Sequence, residues 1–474
     1  MTASSPSVSQ VAPHRFGLWI ILAAQLMLQM DFLIVLVALP QIQADLGFSA
    51  AGLSWVPNAF ALAFGGLLLL GGRLGDMIGQ VRAFRIGLVV FTLASLLGGI
   101  ADNAALLIAA RVLQGVGAAL AGPSVLALIA VTARDDAERQ RGLSMFIAVS
   151  AIGSSSGLLL GGVLTELLSW RWSLLINVPV GIAVIAVIGR LVPETRPQRA
   201  PLDLGGAITA TIGSVALVYA FISAAEAGWG SWPTGVSMAA GFALLCAFFF
   251  IERTHKTPLL DLSLLSSRTR LAGLGVMGLV VGMHFSVLFL LVQYLQRVLG
   301  FDAFAAGLAY IPLTLTVLVM SQFAPGLIAR FGPRSLLVTG SALVSVSLIG
   351  FAFLDDSSRY AFGVLIPLLI HAAGIALVFA PATVTIMAGV PDHHAGAASG
   401  LLQMDQQIGG ALGIAIIASI YALVTNPAHF ARGLPVAFIA AAVIAALASL
   451  LAWFGVQDAE VKTSGVKPGA AGHL

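Results

Sequence analysis

The chain has 474 residues, of which 59% are hydrophobic and only 9% are charged, whereas soluble domains carry about 25% charged residues. This composition excludes a soluble globular protein and predicts that lipid surrounds most of the chain. The net charge of +3 is small and the basic residues are scattered, which excludes the clustered basic face of a nucleic-acid-binding protein. Cys246 is the only cysteine, which excludes an intrachain disulfide and a multi-cysteine metal site. Its apolar surroundings predict a small buried hydrophobe.

A membrane-spanning helix needs about 20 mostly apolar residues, and the chain contains fourteen such stretches. They lie near residues 16–38, 50–72, 83–101, 104–132, 142–165, 171–191, 203–223, 234–251, 271–292, 303–328, 333–353, 360–388, 396–424 and 433–455. This pattern predicts an all-α membrane protein with fourteen transmembrane helices.

The basic residues support an even number of spans. If both termini are cytoplasmic, 18 of the 23 basic residues lie in cytoplasmic segments and 4 in external ones, and Arg111 lies inside a span. The cytoplasmic ones are Arg15, Arg73, Arg82, Arg85, Arg134, Arg139, Arg141, Arg190, Arg196, Arg199, Arg253, Lys256, Arg268, Arg270, Arg330, Arg334, Lys462 and Lys467; the external ones are Arg171, Arg297, Arg359 and Arg432. This bias follows the positive-inside rule. It predicts a multi-pass protein of the inner (plasma) membrane with both termini in the cytoplasm.

The polar interruptions divide the chain into four segments. We predict a first six-helix bundle over residues 1–200 and a two-helix insert with a cytoplasmic linker over 201–270. A second six-helix bundle follows over 271–456. The Gly-, Lys- and Ser-rich residues 457–474 are predicted to form a disordered tail.

No phosphate-binding loop of the type Gly-x-x-x-x-Gly-Lys-Ser/Thr occurs in the chain, whose only lysines are Lys256, Lys462 and Lys467. We therefore expect energy to come from an ion gradient, with no cofactor and no metal. The sequence predicts a secondary transporter and not an enzyme.

Several polar or glycine-rich strings interrupt the apolar spans. They are Asp31-Phe-Leu-Ile-Val-Leu-Val-Ala-Leu39-Pro40, Gly71-Gly72-Arg73-Leu74-Gly75-Asp76-Met77-Ile78-Gly79-Gln80-Val81-Arg82, Arg111-Val-Leu-Gln-Gly115-Val-Gly117, Gly153-x3-Gly157-x3-Gly161-Gly162, Trp170-Arg171-Trp172-Ser-Leu-Leu-Ile-Asn177-Val-Pro179 and Gly396-Ala-Ala-Ser-Gly400-Leu-Leu-Gln403. A shorter string, Gly326 to Arg334, echoes the second one between spans 10 and 11. Their order and positions resemble the major facilitator superfamily, and within it the fourteen-span drug–proton antiporter group.

This resemblance implies a major facilitator fold, with two six-helix bundles of inverted three-helix repeats and a two-helix central insert. Such carriers bind their ligand between the halves near the bilayer midplane and alternate access by rocking. The chain departs from the group's usual residues at Leu36, Met77, Gln80 and Leu158.

Two charged residues within the spans are candidates for proton coupling. A bare carboxylate such as Asp31 is costly in the membrane, and Arg111 cannot lose its charge. The resemblance implies that both take part in proton coupling, with Arg111 acting on a nearby carboxylate such as Asp31. The alternatives are a permanently protonated Asp31 bonded to another helix, and a purely structural ion pair for Arg111.

Two glycine motifs are candidates for conformational roles. In the loop motif, Gly72, Gly75 and Gly79 are expected to let the chain turn tightly, and Asp76 to bond free amides at a helix N-terminus. The exporter-type interface motif comprises Gly153, Gly157, Gly161 and Gly162. The first three glycines share one helix face, which predicts close helix packing. A hinge-like role of this face in the domain interface, which would set the direction of transport, is compatible with that packing.

Six further polar residues at membrane depth are candidates for the substrate cavity. They are Asp405, Gln403, Gln406, Gln407, His284 and His371. The alternative for the cluster in span 13 is interhelical hydrogen bonding, and for each histidine a satisfied place in the core. Histidine also titrates near neutral pH.

Together these features predict a proton-coupled secondary transporter that exports small hydrophobic or cationic compounds by alternating access. The alternatives are a lipid or lysolipid flippase of the same fold and a non-transporting receptor or scaffold. The expected partners are membrane lipids, a small-molecule substrate and protons, with no nucleic acid, and the protein is expected to be a monomer.

Overall fold

The computed structural model describes residues 11–133, 135–195, 197, 203–255, 258–260, 262–390, 395–425 and 430–457. Across these residues the regular structure is entirely helical. The helices are α1 (Val11–Leu46), α2 (Trp55–Ile78), α3 (Gln80–Gly99), α4 (Ala104–Thr132), α5 (Asp136–Leu167), α6 (Trp172–Leu175), α7 (Asn177–Leu191), α8 (Leu204–Ala227), α9 (Trp232–Thr254), α10 (Arg268–Arg297), α11 (Ala303–Leu308), α12 (Ile311–Phe351), α13 (Ile366–Met387), α14 (Ala395–Val424) and α15 (Leu434–Gly455). The prediction of an all-α membrane protein is confirmed.

The helices fall close to the predicted spans. Twelve helical stretches among the described residues are long and apolar enough to cross a membrane. One of them, Ala303–Phe351, bends at Gly332 and covers two predicted spans. Helix α5 is a further long helix at the fifth predicted span. Between twelve and fourteen apolar helices are therefore present, and the count of fourteen remains a prediction.

Small residues allow the helices within each half to approach closely. A Cβ added at Gly117 would lie 2.7 Å from the Gly87 carbonyl oxygen, which holds α4 against α3. In the second half, a Cβ at Gly340 would lie 2.9 Å from the Gly374 carbonyl oxygen, which holds α12 against α13. Such contacts replace the hydrophobic effect as the force between helices in lipid.

The predicted insert, α8 and α9, forms a helix pair whose first member contacts both halves of the molecule. Gly66 of α2 packs against Thr211 of α8. On the other side, the Ser419 hydroxyl of α14 donates to the Phe221 carbonyl oxygen at 2.6 Å. Helix α8 is thus held between α2 and α14. The domain boundaries themselves stay a prediction.

Cys246 and the C-terminal tail are two further parts of the chain for which the sequence made a prediction. Cys246 was expected to be buried, but its side chain is exposed on α9, because α9 contacts little besides α8 and turns its apolar face outward. Of the predicted disordered tail, all but Gln457 lies outside the described residues.

Candidate functional site

The two charged side chains singled out in spans 1 and 4 form an ion pair in the first half of the molecule. Arg111 Nη1 of α4 lies 2.5 Å from Asp31 Oδ2 of α1, and both side chains are 0% exposed. The residues are 80 positions apart in the chain. The structure therefore brings together the two groups proposed for proton coupling.

Three further polar side chains complete this cluster, which we call the Asp31 network. Asn177 Nδ2 and Gln114 Nε2 both donate to Asp31 Oδ1, at 2.7 and 2.9 Å. Gln114 also accepts from Arg111 Nη1 at 2.9 Å and donates to Ser95 Oγ at 2.8 Å. Side chains of α4 and α7 thus bond the carboxylate of α1, and Ser95 of α3 joins the network through Gln114. Sequence reasoning missed these partners, although Gln114 lies one turn after Arg111 and Asn177 stands in a quoted motif.

Besides Asp31 and Gln114, the guanidinium of Arg111 contacts a backbone carbonyl and an aromatic ring. Its Nε donates to the Val56 carbonyl oxygen at 3.1 Å, and its Cζ lies 4.6 Å from the centre of the Phe60 ring. Its Nη2 is buried without a hydrogen-bond partner. A buried arginine is tolerated when charge pairing and ring contact offset its desolvation, and here one donor remains unused.

The two membrane-depth histidines lie together in the second half. His284 Nδ1 of α10 is 3.1 Å from His371 Nε2 of α13, and the rings are nearly parallel, with an interplanar angle of 13°. His371 Nδ1 lies 3.1 Å from Ser347 Oγ of α12. Sequence reasoning treated each histidine singly and had no signal for this contact, because the two residues are 87 positions apart.

The polar cluster of α14 lies where α14 meets helices of both halves. Asp405 packs against Gly278 of α10, and Gln407 packs against Gly65 of α2. Asp405 Oδ2 and Gln407 Oε1 are buried without a hydrogen-bond partner. Gln403 and Gln406 are partly buried beside them. Interhelical hydrogen bonding therefore does not account for these two oxygen atoms.

The loop motif between α2 and α3 differs from the expectation in two ways. Gly72 and Gly75 are helical, and only Gly79 has a left-handed φ, of +97°. The amides at the start of α3 are bonded by Glu194 and not by Asp76: Val81 N and Arg82 N donate to its carboxylate at 2.9 and 3.0 Å. Glu194 follows α7 and is brought there by the fold.

Asp76 instead forms a local contact. Its Oδ1 accepts from Gln80 Nε2 at 2.9 Å, while Gln80 N donates to Thr195 Oγ1 at 2.8 Å. In the second half, Gly332 has φ +77° and ψ 157°, close to the +97° and 140° of Gly79. The predicted echo of the loop is therefore found in the backbone.

The exporter-type glycine motif has two faces. A Cβ at Gly153 or Gly157 would lie 2.9 Å from Gln29 Cβ or the Met30 carbonyl oxygen, and Gly161 abuts Ile34. All three glycines thus pack on α1 within the first half, as close helix packing predicts. This packing lies within the first half, and a role of the face in setting the direction of transport stays a prediction.

Gly162 is the motif glycine that faces the other half. A Cβ there would lie 2.5 Å from the Ala303 carbonyl oxygen, and one at Gly307 would lie 2.8 Å from the Leu158 carbonyl oxygen. Helices α5 and α11 are thus in backbone contact. Because α5 ends here and α11 begins here, this contact closes the end of the molecule predicted to be external.

Other contacts join the halves at the same end and at mid-depth. Gln296 Nε2 of α10 donates to the Val37 carbonyl oxygen of α1 at 2.8 Å. Deeper, the Phe32 ring of α1 lies 4.6 Å from the Phe285 ring of α10, centre to centre. These aromatic residues directly follow Asp31 and His284 in the chain, so the two polar clusters flank one contact between the halves.

Sequence comparison supplies a family for this arrangement. The model of the Major Facilitator Superfamily matches residues 21–414. The chain is 39% identical over 397 residues to the uncharacterized MFS-type transporter EfpA of Mycobacterium tuberculosis (strain ATCC 25618 / H37Rv), covering 84% of this chain and 75% of that protein.

Two other relatives are named for antibiotics. The chain is 39% identical to the cephamycin export protein CmcT of Amycolatopsis lactamdurans, covering 89% of this chain and 88% of the relative. It is 41% identical to the puromycin resistance protein pur8 of Streptomyces alboniger, covering 86% and 82%.

Among solved structures, a bacterial homologue of the human lysosomal transporter Spinster, in an inward-facing and unoccupied conformation, superposes with TM-score 0.69 and 16% identity. It covers 97% of this chain and 100% of that one. A peptide transporter POT in complex with sulfate gives TM-score 0.68 and 14% identity, over 92% and 93%. At these identities the likeness concerns the fold.

Proposed function

The chain belongs to the major facilitator superfamily, and within that family we propose that it is a proton-coupled exporter of small hydrophobic or cationic compounds. As a multi-pass membrane protein it would lie in the inner (plasma) membrane with both termini in the cytoplasm. The substrate class is supported by relatives named for the export of, or resistance to, antibiotics. The observation that carries the proposal is the Asp31–Arg111 ion pair.

Charge balance in the Asp31 network explains how a proton could drive the carrier. With Asp31 ionised, the pair is neutral and fits a dry interior. When Asp31 takes up a proton, Arg111 becomes an unpaired buried cation, which costs several kcal/mol. Protonation therefore favours a conformation in which water reaches Arg111, and loss of the proton favours the dry arrangement.

The hydrogen bonds of the network also distinguish the ionised from the protonated form of Asp31. Asn177 and Gln114 donate hydrogen bonds to the ionised carboxylate, and both bonds weaken when the carboxyl is neutral. Helices α4 and α7, which supply these bonds, thus respond directly to the protonation state of Asp31 on α1. The carrier thus exchanges one proton for one substrate: it binds the substrate while Asp31 is ionised and releases it when Asp31 takes up a proton.

The energy available from one proton is sufficient for export. A single charge crossing 100 mV releases about 2.3 kcal/mol, which corresponds to roughly 40-fold accumulation of a neutral compound. A monovalent cation exchanged for one proton is moved without net charge, so that only the pH difference drives it. One coupling carboxylate is therefore enough.

The test is Asp31→Asn in inverted membrane vesicles with an imposed pH gradient. We expect proton-driven uptake of ethidium, measured per amount of folded protein, to fall to background, since an amide cannot take up the proton. Asp356→Asn, an exposed loop position, is the matched control and should retain transport. Proton-driven uptake by Asp31→Asn at the wild-type rate would sink the proposal.

A further inference from the structure

A chain of hydrogen bonds crosses the second half, from α12 through α13 to α10. Ser347 Oγ lies 2.7 Å from the Val344 carbonyl oxygen and 3.1 Å from His371 Nδ1. His371 Nε2 lies 3.1 Å from His284 Nδ1. We call Ser347, His371 and His284 the histidine relay. The mechanism based on Asp31 makes no use of it.

The hydrogen bond of Ser347 to its own helix sets one arrangement of protons in the neutral relay. With the Ser347 hydroxyl donating to the Val344 carbonyl oxygen, the hydroxyl oxygen accepts from His371 Nδ1–H. A neutral imidazole carries one N–H, so His371 Nε2 is an acceptor. His284 must therefore donate through Nδ1, which leaves its Nε2 as a bare acceptor.

His284 lies on α10 next to a contact between the two halves. Gly273 lies three helical turns earlier on the same face and packs on Thr385 and Ile386 of α13. The next residue, Phe285, contacts Phe32 of α1. His284 thus lies between α13 and the face that meets the first half. Its side chain is partly exposed, whereas His371 is 0% exposed.

We propose that His284 Nε2 is a second binding position of the transport cavity, which accepts either a hydrogen bond from an N–H or O–H group of the substrate or a proton, but not both. His371 and Ser347 are positioning residues that fix the tautomer. The inference rests on the proposed export function and adds a substrate class to it: compounds with a hydrogen-bond donor at their buried end.

The groups around the histidine relay favour binding of either a proton or a substrate at His284, but not both. The elements around it carry the acidic residues Asp31 and Asp45 of α1 and Asp405 of α14, and the tyrosines Tyr294 of α10, Tyr310 before α12 and Tyr421 of α14. The arginines are Arg268, Arg270 and Arg297, near the two ends of α10, and Arg330 and Arg334, beside the bend of α12 at Gly332; α13 and α15 add no ionisable group besides His371. Asp31 is held by Arg111, and the Tyr310 hydroxyl donates to the Leu288 carbonyl oxygen at 3.2 Å.

Among the described residues, no ion pair joins either histidine to a carboxylate. A proton on His284 therefore relies on water for its stabilisation. A substrate that fills the cavity removes that water and expels the proton. An exporter that exchanges protons for substrate needs this mutual exclusion.

The first test reads the tautomers directly. The full-length protein is labelled with ¹⁵N-histidine in lipid nanodiscs at alkaline pH, and the signals are assigned with His284→Gln and His371→Gln. We expect both rings to carry hydrogen on Nδ1, and Ser347→Ala to mix the tautomers of His371. Hydrogen on His284 Nε2 in the wild-type protein would overturn the proposal, whatever drives transport.

The second test compares two permanently charged cations that differ in donors. Ethidium carries amino N–H groups, whereas tetraphenylphosphonium carries none. We expect His284→Leu to weaken ethidium binding by roughly 5-fold, the size of one hydrogen bond, and to leave tetraphenylphosphonium binding unchanged. Equal losses for both cations, or no loss for ethidium, would contradict the assignment.

The two proposals fail separately. Asp31→Asn abolishes proton-driven transport if the coupling proposal holds, and it leaves the relay and its ¹⁵N signals in place. Conversely, the ¹⁵N measurement and the binding comparison need no proton gradient, so they decide the assignment of His284 whether or not Asp31 couples transport to protons.

Discussion

At the scale of single residues, the molecule buries a complete ion pair and then surrounds it with neutral donors. Removing two charges from water is costly, and their attraction offsets this only when further hydrogen bonds are present. Asp31 has these bonds from Asn177 and Gln114, whereas Arg111 keeps one unpaired nitrogen. The carboxylate end is thus fully satisfied and the arginine end is not.

The charge balance of the buried pair predicts that a second substitution rescues the stability lost in the first. Arg111→Gln should lower the free energy of unfolding by about 3–5 kcal/mol, because it leaves Asp31 as an uncompensated buried charge. Adding Asp31→Asn should restore most of the loss, since the pair becomes neutral. Thermal unfolding in detergent measures both variants. A double variant that is less stable than Arg111→Gln alone would contradict the charge-balance argument.

At the scale of helices, the turn between α2 and α3 depends on one glycine and on the carboxylate of Glu194, which follows α7. Gly79 has a φ of +97°, and the position that a Cβ would take there is filled by the side chain of Glu194. The turn between α2 and α3 therefore packs on the segment after α7 with no space for a side chain at Gly79. Gly72, seven residues earlier, has no such constraint.

The two glycines predict opposite outcomes. Gly79→Ala should lower stability by about 1–2 kcal/mol from backbone strain, and by more because its Cβ would lie 2.5 Å from Glu194 Oε1. Gly72→Ala, whose Cβ would lie 3.6 Å from Pro123 Cβ, should be close to neutral. Unfolding temperatures of the purified variants decide this, and similar losses for both would refute it.

At the scale of the whole molecule, the two halves are held together at one end by backbone contacts of α5 with α11. Leu158 and Gly162 of α5 lie against Gly307 and Ala303. Glu166 extends this contact, since its carboxylate accepts from Ala303 N at 3.3 Å. Alternating access requires this end to open, so the close approach must be stable enough to form and weak enough to break.

Enlarging Gly162 should therefore shift the conformational balance. We expect Gly162→Val to separate the ends of α5 and α11, because its side chain would meet the backbone of Ala303. Spin labels on cysteines at Ala50 and Asp356, in a Cys246→Ala background, report the distance between the two halves. The distribution should move to longer distances.

The matched control is Gly230→Val, at a position where a Cβ would meet nothing within 4 Å. It should leave the distance distribution as in the parent protein. An unchanged distribution in Gly162→Val would show that this contact does not hold the halves together.

The sequence by itself determined the apolar helices. This property is local, because a span depends on the hydropathy of about 20 consecutive residues. The sequence also named three glycines for the turn before α3, of which only Gly79 has a left-handed φ. It also singled out Asp31 and Arg111, because charge in an apolar span is costly enough to stand out.

Only the tertiary structure decided which of these residues meet. Asn177 reaches Asp31 from 146 positions away, Glu194 caps α3 from 113 positions beyond Val81, and His371 joins His284 across two helices. The spacing of residues along a helix fixes the face on which a side chain lies. The partner that covers that face is set by how whole helices pack, and packing in lipid depends on small residues spread over the entire chain.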